Sequence, residues 1–551
     1  MKMQKDKNEK ITVTRSQKIA VAVLAMVFLV AGIAIAGFFG DFSMSPSGVG
    51  GYFSQSTQGL SEAKESQTVE LKNGATYNLT GSIVKKNING HEVKMLAYNG
   101  MIPGPTIKVS QGAQVIIHFT NSIDVPTTLH SHGVRLDNAF DGVPDVTQKE
   151  IPPGSSFDYK IKFPDAGVYW YHPHVQEPYT QQLGMYGNYI VVPSDSNYWP
   201  KVNREVPLTL SDILIGQDGN PVPFLKSDTS HTLMGRFGNV MLTNGATDYE
   251  LGIKKGEVVQ FDLTNTANTR TFNFAIPGAK IKLVGGDSGR YERETFVDSV
   301  VIAPSERIIV DVYFPDSGTF PIEHKTPDHT YQLGNLTVAP DSAPVSYASA
   351  FSQLRTNADM VALADSLKTY FDKPADKKLK LTVDLGQNMN MNMGSGGSHA
   401  MSGGMMMTNG SMNMGGSDSK IEWEDSMAMM NSMANSSNVK WKIVDQDTGK
   451  ANSDINWNFK VGDKIKISIY NDPNSTHPMQ HPIHFHGQRF VVLSTNGVKN
   501  SNLVWKDTTL VQKGDTVEIL LDASNPGTWM AHCHIAEHLS DGMMFMFKVT
   551  P

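Results

Sequence analysis

One β module is written three times along this chain, and that repetition limits the folds open to it. The first copy runs from NGMIPGPTIKVSQGAQVIIHFTN to IPPGSSFDYKIKFPDAGVYWYHPH. The second runs from NGATDYELGIKKGEVVQFDLTN to IAPSERIIVDVYFPDSGTFPIEHK, and the third from NFKVGDKIKISIYND to VQKGDTVEILLDASNPGTWMAHCH. In each, apolar and polar residues alternate, β-branched residues are frequent, and Gly, Pro, Asn and Asp punctuate the runs. This predicts antiparallel sandwiches rather than α/β units. The chain of 551 residues exceeds what one hydrophobic core can serve. The expectation is therefore an all-β chain of three consecutive Greek-key sandwich domains at 60–198, 199–347 and 376–551, with a linker helix in 348–375 from SQLRTNADMVALADSLKTYF. The stretch 387–434, beginning QNMNMNMGSGGSHAMSGGMMM, lacks a core-forming pattern and reads as an exposed insertion in the third domain.

The first 40 residues read differently. KMQKDKNEKITVTRSQK carries six Lys or Arg against two acids and precedes an uncharged apolar run at 19–39. Such a run reaches across a hydrocarbon core of about 30 Å, with the basic flank cytoplasmic and the rest of the chain outside. A cleaved signal segment is the alternative, with Ala34-Ile35-Ala36 as a small-x-small site. Either way an extracytoplasmic protein is expected, anchored in a membrane by its N-terminus or secreted after cleavage. The formal net charge of −7 gives no reason to expect nucleic acid as a partner, and a monomer is expected.

The repeat lets positions be compared. Counting from Gly167, Gly318 and Gly527, the same offset reaches His172-Pro173-His174, Glu323-His324-Lys325 and His532-Cys533-His534. Upstream, His130-Ser131-His132 and His484-Phe485-His486 are set against Phe272-Asn273-Phe274. Ten of the 17 histidines fall in four segments, HSHG, WYHPH, HPIHFHG and AHCHIAEH. A single histidine is usually an ordinary core or surface residue; four clusters at matching ends of two related modules are not explained that way. Residues i and i+2 of a strand share a face, so each H-x-H presents two imidazoles to one site. In His532-Cys533-His534 the thiol points the other way, and one tripeptide touches two metal centres.

Cys533, the only cysteine, with His481, His538 and a weak axial Met543 makes the His₂Cys(Met) set of a blue-copper electron-transfer site. The remaining eight histidines are too many for one ion. Imidazole suits copper, zinc and iron alike, but beside a blue-copper set copper is the economical choice.

HSHG, WYHPH, HPIHFHG and HCHIAEHLSDGM together resemble the three-domain multicopper oxidases, the laccase-like group, over about residues 65–551. The resemblance implies three cupredoxin domains and four copper ions. By that likeness His130 and His484 hold the type 2 ion, His132, His172, His174, His486, His532 and His534 the type 3 pair, and His481, Cys533, His538 and Met543 type 1. It also implies four one-electron oxidations of a reductant, passed through Cys533, His532 and His534, and reduction of dioxygen to water. Asp141, in DGVPD, matches the family's proton-delivering acid, although an Asp-Gly turn also explains it. Leu539 stands where some bacterial members carry a second acid, which leaves the second proton route open. Asp541 reads as a solvent-exposed turn residue. A copper nitrite reductase, or a non-enzymatic blue-copper carrier, would leave either the type 3 pair or the eight histidines unexplained.

The donor is less determined. Residues 389–433 hold 13 of the 28 methionines, as MNMNM, MMM, MNM and MAMM. Thioethers select Cu(I), and similar insertions occur in copper-resistance cuprous oxidases of this family. Cu(I), Mn(II), Fe(II) and small phenols all remain candidates at an exposed edge of His481.

Overall fold

The computed structural model describes residues 51–386 and 419–551. Within the unit Tyr52–Pro551 six sheets form three sandwiches. The first packs a five-stranded sheet, which contains His130–His132, Gly167–His172 and Gly187–Val192, on a four-stranded one containing Gln114–Ser122 and Ser156–Lys162. The second and third each pack a six-stranded sheet on a five-stranded one. Each sandwich encloses its own apolar core.

Burial follows from the alternation. QVIIHFTNS at Gln114–Ser122 buries every second residue, as a strand with one face on a core and one toward water must. GVYWYH at Gly167–His172 is buried throughout. One face of it meets the core of the first sandwich, while Val168 and Ile190 meet Val284 and Ile309 of the second. The strand that delivers His172 is therefore covered on both sides.

Strand pairing corrects one comparison between the copies. His130 pairs with His172 and His484 with His532, whereas Glu323 pairs with Ala275. Ala275-Ile276-Pro277 therefore occupies the H-x-H position of the middle copy, three residues beyond Phe272-Asn273-Phe274. Phe272 stands where the third copy has His481, because Phe272 pairs with Ile302 as His481 pairs with Val511. His324 occupies the place of Cys533.

Two further expectations change. The 348–375 linker folds as three short helices, Ala348–Ser352, Ala358–Ser366 and Lys368–Phe371. The first break follows from Arg355, whose guanidinium bonds Glu294 at 2.8 Å and so holds the segment extended across the middle sandwich. The membrane partnership expected through residues 19–39 is withdrawn: among the described residues no helix is long and apolar enough to cross a membrane. A span needs about 20 residues, and Ala358–Ser366 has nine. Residues 19–39 themselves lie outside the described residues, as do 387–418 of the methionine-rich stretch. Met427 and Met430, at and in helix Ala428–Met433, pack against the third core, while Met429 and Met433 are exposed as expected of the insertion.

Candidate metal centres

Strands His481–Phe485 and Gly527–Cys533 are neighbours, with Ile483 opposite Cys533. The short helix Ala536–Ser540 then carries His538 back over the thiol. Cys533 Sγ lies 3.5 Å from His481 Nδ1 and 3.8 Å from His538 Nδ1. Met543, also buried, closes the group through its backbone: its carbonyl accepts from Cys533 N at 3.1 Å and its N–H donates to His538 O at 3.0 Å. Burial pushes the Cys533 thiol up. Burial, with His477 nearby, pushes His481 down to about 3. A bound cation opposes both shifts by favouring the thiolate. The expected exposed edge of His481 is absent, since His481 is 1% exposed and His538 0%. Trp441 stacks on His538 at 4.2 Å between ring centres.

The other eight histidines converge from the first and third sandwiches, all of them buried. Their hydrogen bonds assign the tautomers. Nδ1 of His130 donates to the Asp141 carbonyl (2.7 Å), that of His172 to Pro173 O (2.9 Å), that of His484 to Asp507 O (2.8 Å) and that of His532 to Cys533 O (2.9 Å). His486 Nδ1 donates to Asp141 Oδ2 at 2.9 Å. His132 is reversed: Nε2 faces Asp507 Oδ1 at 3.0 Å. The unused nitrogens, Nε2 of His130, His172, His174 and His484 and Nδ1 of His132, find no partner among the described residues, and neither nitrogen of His534 does. Buried polar atoms are rarely left so. His486 Nε2 and His532 Nε2 face one another at 3.1 Å, and with both Nδ1 protonated this sets two lone pairs head to head. Burial, then neighbouring imidazoles, holds both rings well below the ordinary histidine range. A cation reconciles these contacts.

Candidate three-residue groups are His481, Cys533 and His538; His130, His132 and His172; His130, His174 and His486; His484, His486 and His532; and His132, His484 and Asp507, each within 4.8 Å. The histidine sets and the thiol set join at His532-Cys533-His534.

Asp141 is 1% exposed; one carboxylate oxygen holds His486 and the other has no hydrogen-bond partner among the described residues. Two acids escaped the sequence reading. Glu177 sits with Oε1 2.6 Å from His174 Nδ1, but out of line for a hydrogen bond, so both its oxygens remain unmatched. Burial pushes it up to about 8. Asp507 touches His132 and His484; burial opposes its charge, and the Arg307 guanidinium more than offsets this, holding it well below the usual carboxylate range. Nothing in EPYTQQ or WKDTT marks either acid. Asp541, expected in solvent, is buried and accepts from Trp441 N at 2.9 Å. It serves the wall of the thiol site.

Family models, each described as multicopper oxidase, match residues 82–196, 204–339 and 422–551. A multicopper oxidase of Staphylococcus aureus is 25% identical over 472 residues, covering 84% of this chain and 85% of its own. The fold resembles a multicopper oxidase of Campylobacter jejuni described as a metallo-oxidase (TM-score 0.64, 22% identity, 91% of this chain and 99% of that one). It also resembles a laccase-like enzyme of Ochrobactrum with oxidase activity towards lignin model compounds (TM-score 0.66, 21% identity, 89% and 100%).

Proposed function

The chain belongs to the multicopper oxidase family, copper-dependent oxidoreductases that take electrons from a reduced substrate and use dioxygen as acceptor, and on that premise we propose how its residues divide the work. His481, Cys533, His538 and Met543 hold a type 1 copper. His130 and His484 hold type 2, and His132, His172, His174, His486, His532 and His534 hold a type 3 pair, four ions in all. The observation that carries this reading is the pair of opposed Nε2 lone pairs on His486 and His532, set among the unmatched imidazole nitrogens around them.

When bound, the copper ions supply one-electron acceptance at the cysteine site and multi-electron reduction of dioxygen at the histidine site. The protein supplies the rest. The tripeptide 532–534 joins the two sites covalently, and complete burial of its side chains keeps bulk water from both. Asp141 fixes His486 with one oxygen and sets the other, which makes no hydrogen bond among the described residues, 3.3 Å from His130 Nδ1 beside the cluster. An extracytoplasmic, secreted placement belongs to this proposal, supported by the basic start and the apolar run after it; a membrane anchor does not. Copper content, the three spectroscopic copper signatures and oxygen uptake test the assignment together. A chain with the blue band but no type 3 signal would be a carrier.

For the donor, the reading favoured is a small soft ion, Cu(I). No ligand imidazole reaches the surface, so a bulky donor has no direct contact. Leu233, Met234 and Phe237 of the second domain pack into the core that holds Cys533 and Met543, and there His477 Nε2 lies 2.8 Å from Met234 Sδ. An imidazole and a thioether together suit a cuprous ion. Steady-state rates with buffered Cu(I) and with a small phenol, on wild type, on Met234→Leu and on a chain with 389–416 replaced by Gly and Ser, decide it. Selective loss of cuprous turnover supports the reading, and equal loss with both donors reduces these segments to a cover.

A further inference from the structure

The middle sandwich offers none of the paired histidines, yet it reaches the histidine site through one side chain. Arg307, at the start of strand Arg307–Tyr313, is wholly buried. Its Nη1 donates to Asp507 Oδ1 at 2.8 Å and its Nη2 to Asp507 Oδ2. Nε donates to Val168 O of the first sandwich at 3.0 Å, and Nη1 also to Ser305 O at 2.7 Å. The guanidinium thus grips the carboxylate as a two-pronged fork and is itself fixed, a geometry that Lys cannot reproduce.

What the fork holds is the partner of the one reversed imidazole. Asp507 Oδ1 accepts from His132 Nε2, which leaves His132 Nδ1 as the free lone pair. The other five imidazoles with assigned partners donate through Nδ1. The Asp507 carbonyl meanwhile accepts from His484 Nδ1. One residue therefore sets opposite tautomers on histidines of two different sandwiches. The junction has no spare room: a Cβ on Gly133, at φ +80°, would lie 2.3 Å from Asp507 Oδ2 and 2.7 Å from Arg307 Nη2. The glycine of HSHG is thereby explained by contact with this ion pair as well as by its own left-handed backbone.

We propose that Arg307 is a positioning residue for the histidine site, through which the middle domain sets the tautomer and orientation of His132 and His484 by way of Asp507. The inference rests on the multicopper oxidase reading. Groups behind a metal's direct ligands commonly matter this way: their loss weakens metal affinity about 10- to 100-fold.

The test compares wild type, Arg307→Lys, Asp507→Asn and the double variant. Copper per chain, the type 1 absorption and the type 2 paramagnetic signal are measured on loaded protein, and Cu(II) affinity by titration of copper-free protein. The expected result is a full type 1 band per chain with copper affinity at the type 2 and type 3 positions about 10- to 100-fold weaker. The double variant should be no worse than Asp507→Asn, because one residue acts through the other. Wild-type affinity at both the type 2 and type 3 positions in Arg307→Lys overturns the proposal. So does a fall of all copper signals by one common factor, which reports general destabilisation. Should Arg307→Lys fail to fold, Arg307→Gln combined with Asp507→Asn, which removes both members of the fork and leaves Asp287 paired with Lys506, is judged by the same criteria. A wild-type chain without type 2 and type 3 signals would instead remove the family assignment on which the inference rests.

Discussion

Cys533 owes its role to a period of two. Flanked by His532 and His534 on a strand, its side chain turns to the opposite face and meets His481 and His538. Cys533→Ser is expected to abolish the intense visible absorption and donor turnover together while histidine-site copper remains. An absorption spectrum and oxygen uptake check it, and wild-type oxygen reduction in the variant contradicts the assignment. Asp141 acts differently, since its carboxylate touches the imidazoles from outside. Asp141→Asn keeps an oxygen for His486 but replaces the unmatched one with an amide. Copper content should be unchanged and oxygen reduction about 10²–10⁴-fold slower, the usual range for losing an acid–base group. Metal analysis beside turnover at saturating donor measures both. A fall in copper would make Asp141 a support for His486 alone.

Between residue and domain, the cover of the cysteine site is built from two segments. Residues 230–237 of the middle sandwich meet helix Ala428–Met433, and Asn431 ties them. It accepts from Met234 N at 3.0 Å and donates to Gly235 O at 2.8 Å and to Asp425 Oδ2 at 2.8 Å. Asn431 is fully buried, so Asn431→Ala should leave the buried Met234 N–H and Gly235 carbonyl unmatched and cost about 1–3 kcal/mol per group so stranded. The thermal midpoint should fall, and the ratio of phenol to Cu(I) turnover should rise as the cover loosens. A lower midpoint with an unchanged ratio assigns Asn431 to folding alone. Trp441 belongs to the same cover, through its Nε1 bond of 2.7 Å to Thr232 O.

For the molecule as a whole, buried neutral histidines outside the metal centres should shape stability. Burial, then the charge of a nearby arginine, pushes His231 and His324 down to about 3 from an ordinary 6.5. Between those values the unfolded chain binds a proton that the folded chain refuses. Their contribution is therefore complete above pH 6.5 and lost as pH falls toward 3, by up to about 1.4 kcal/mol per pH unit for each group. Denaturant unfolding of copper-loaded chain between pH 4 and 7 should show this slope, and His324→Gln should flatten it by about one proton's worth. Equal slopes in the two proteins place the linkage elsewhere.

What the sequence determined by itself is what local periodicity carries. Alternation specifies strands, repetition specifies three sandwiches, and H-x-H or H-C-H specifies which side chains share a face. These spacings span two or three residues, so they can be read without knowing what lies across the sheet. Only the tertiary structure decided which strands became neighbours. It moved the middle copy's counterpart of H-x-H from Phe272 to Ala275, because an aromatic pair mimicked the pattern and only pairing with Glu323 set the register. It brought Asp507 to His132 across 375 positions and Arg307 to Asp507 across 200. It also turned Asp541 inward and buried the edges of His481 and His538. An acid in WKDTT looks like any other until packing removes water around it, because contact between sandwiches leaves no periodic trace in the segments that make it.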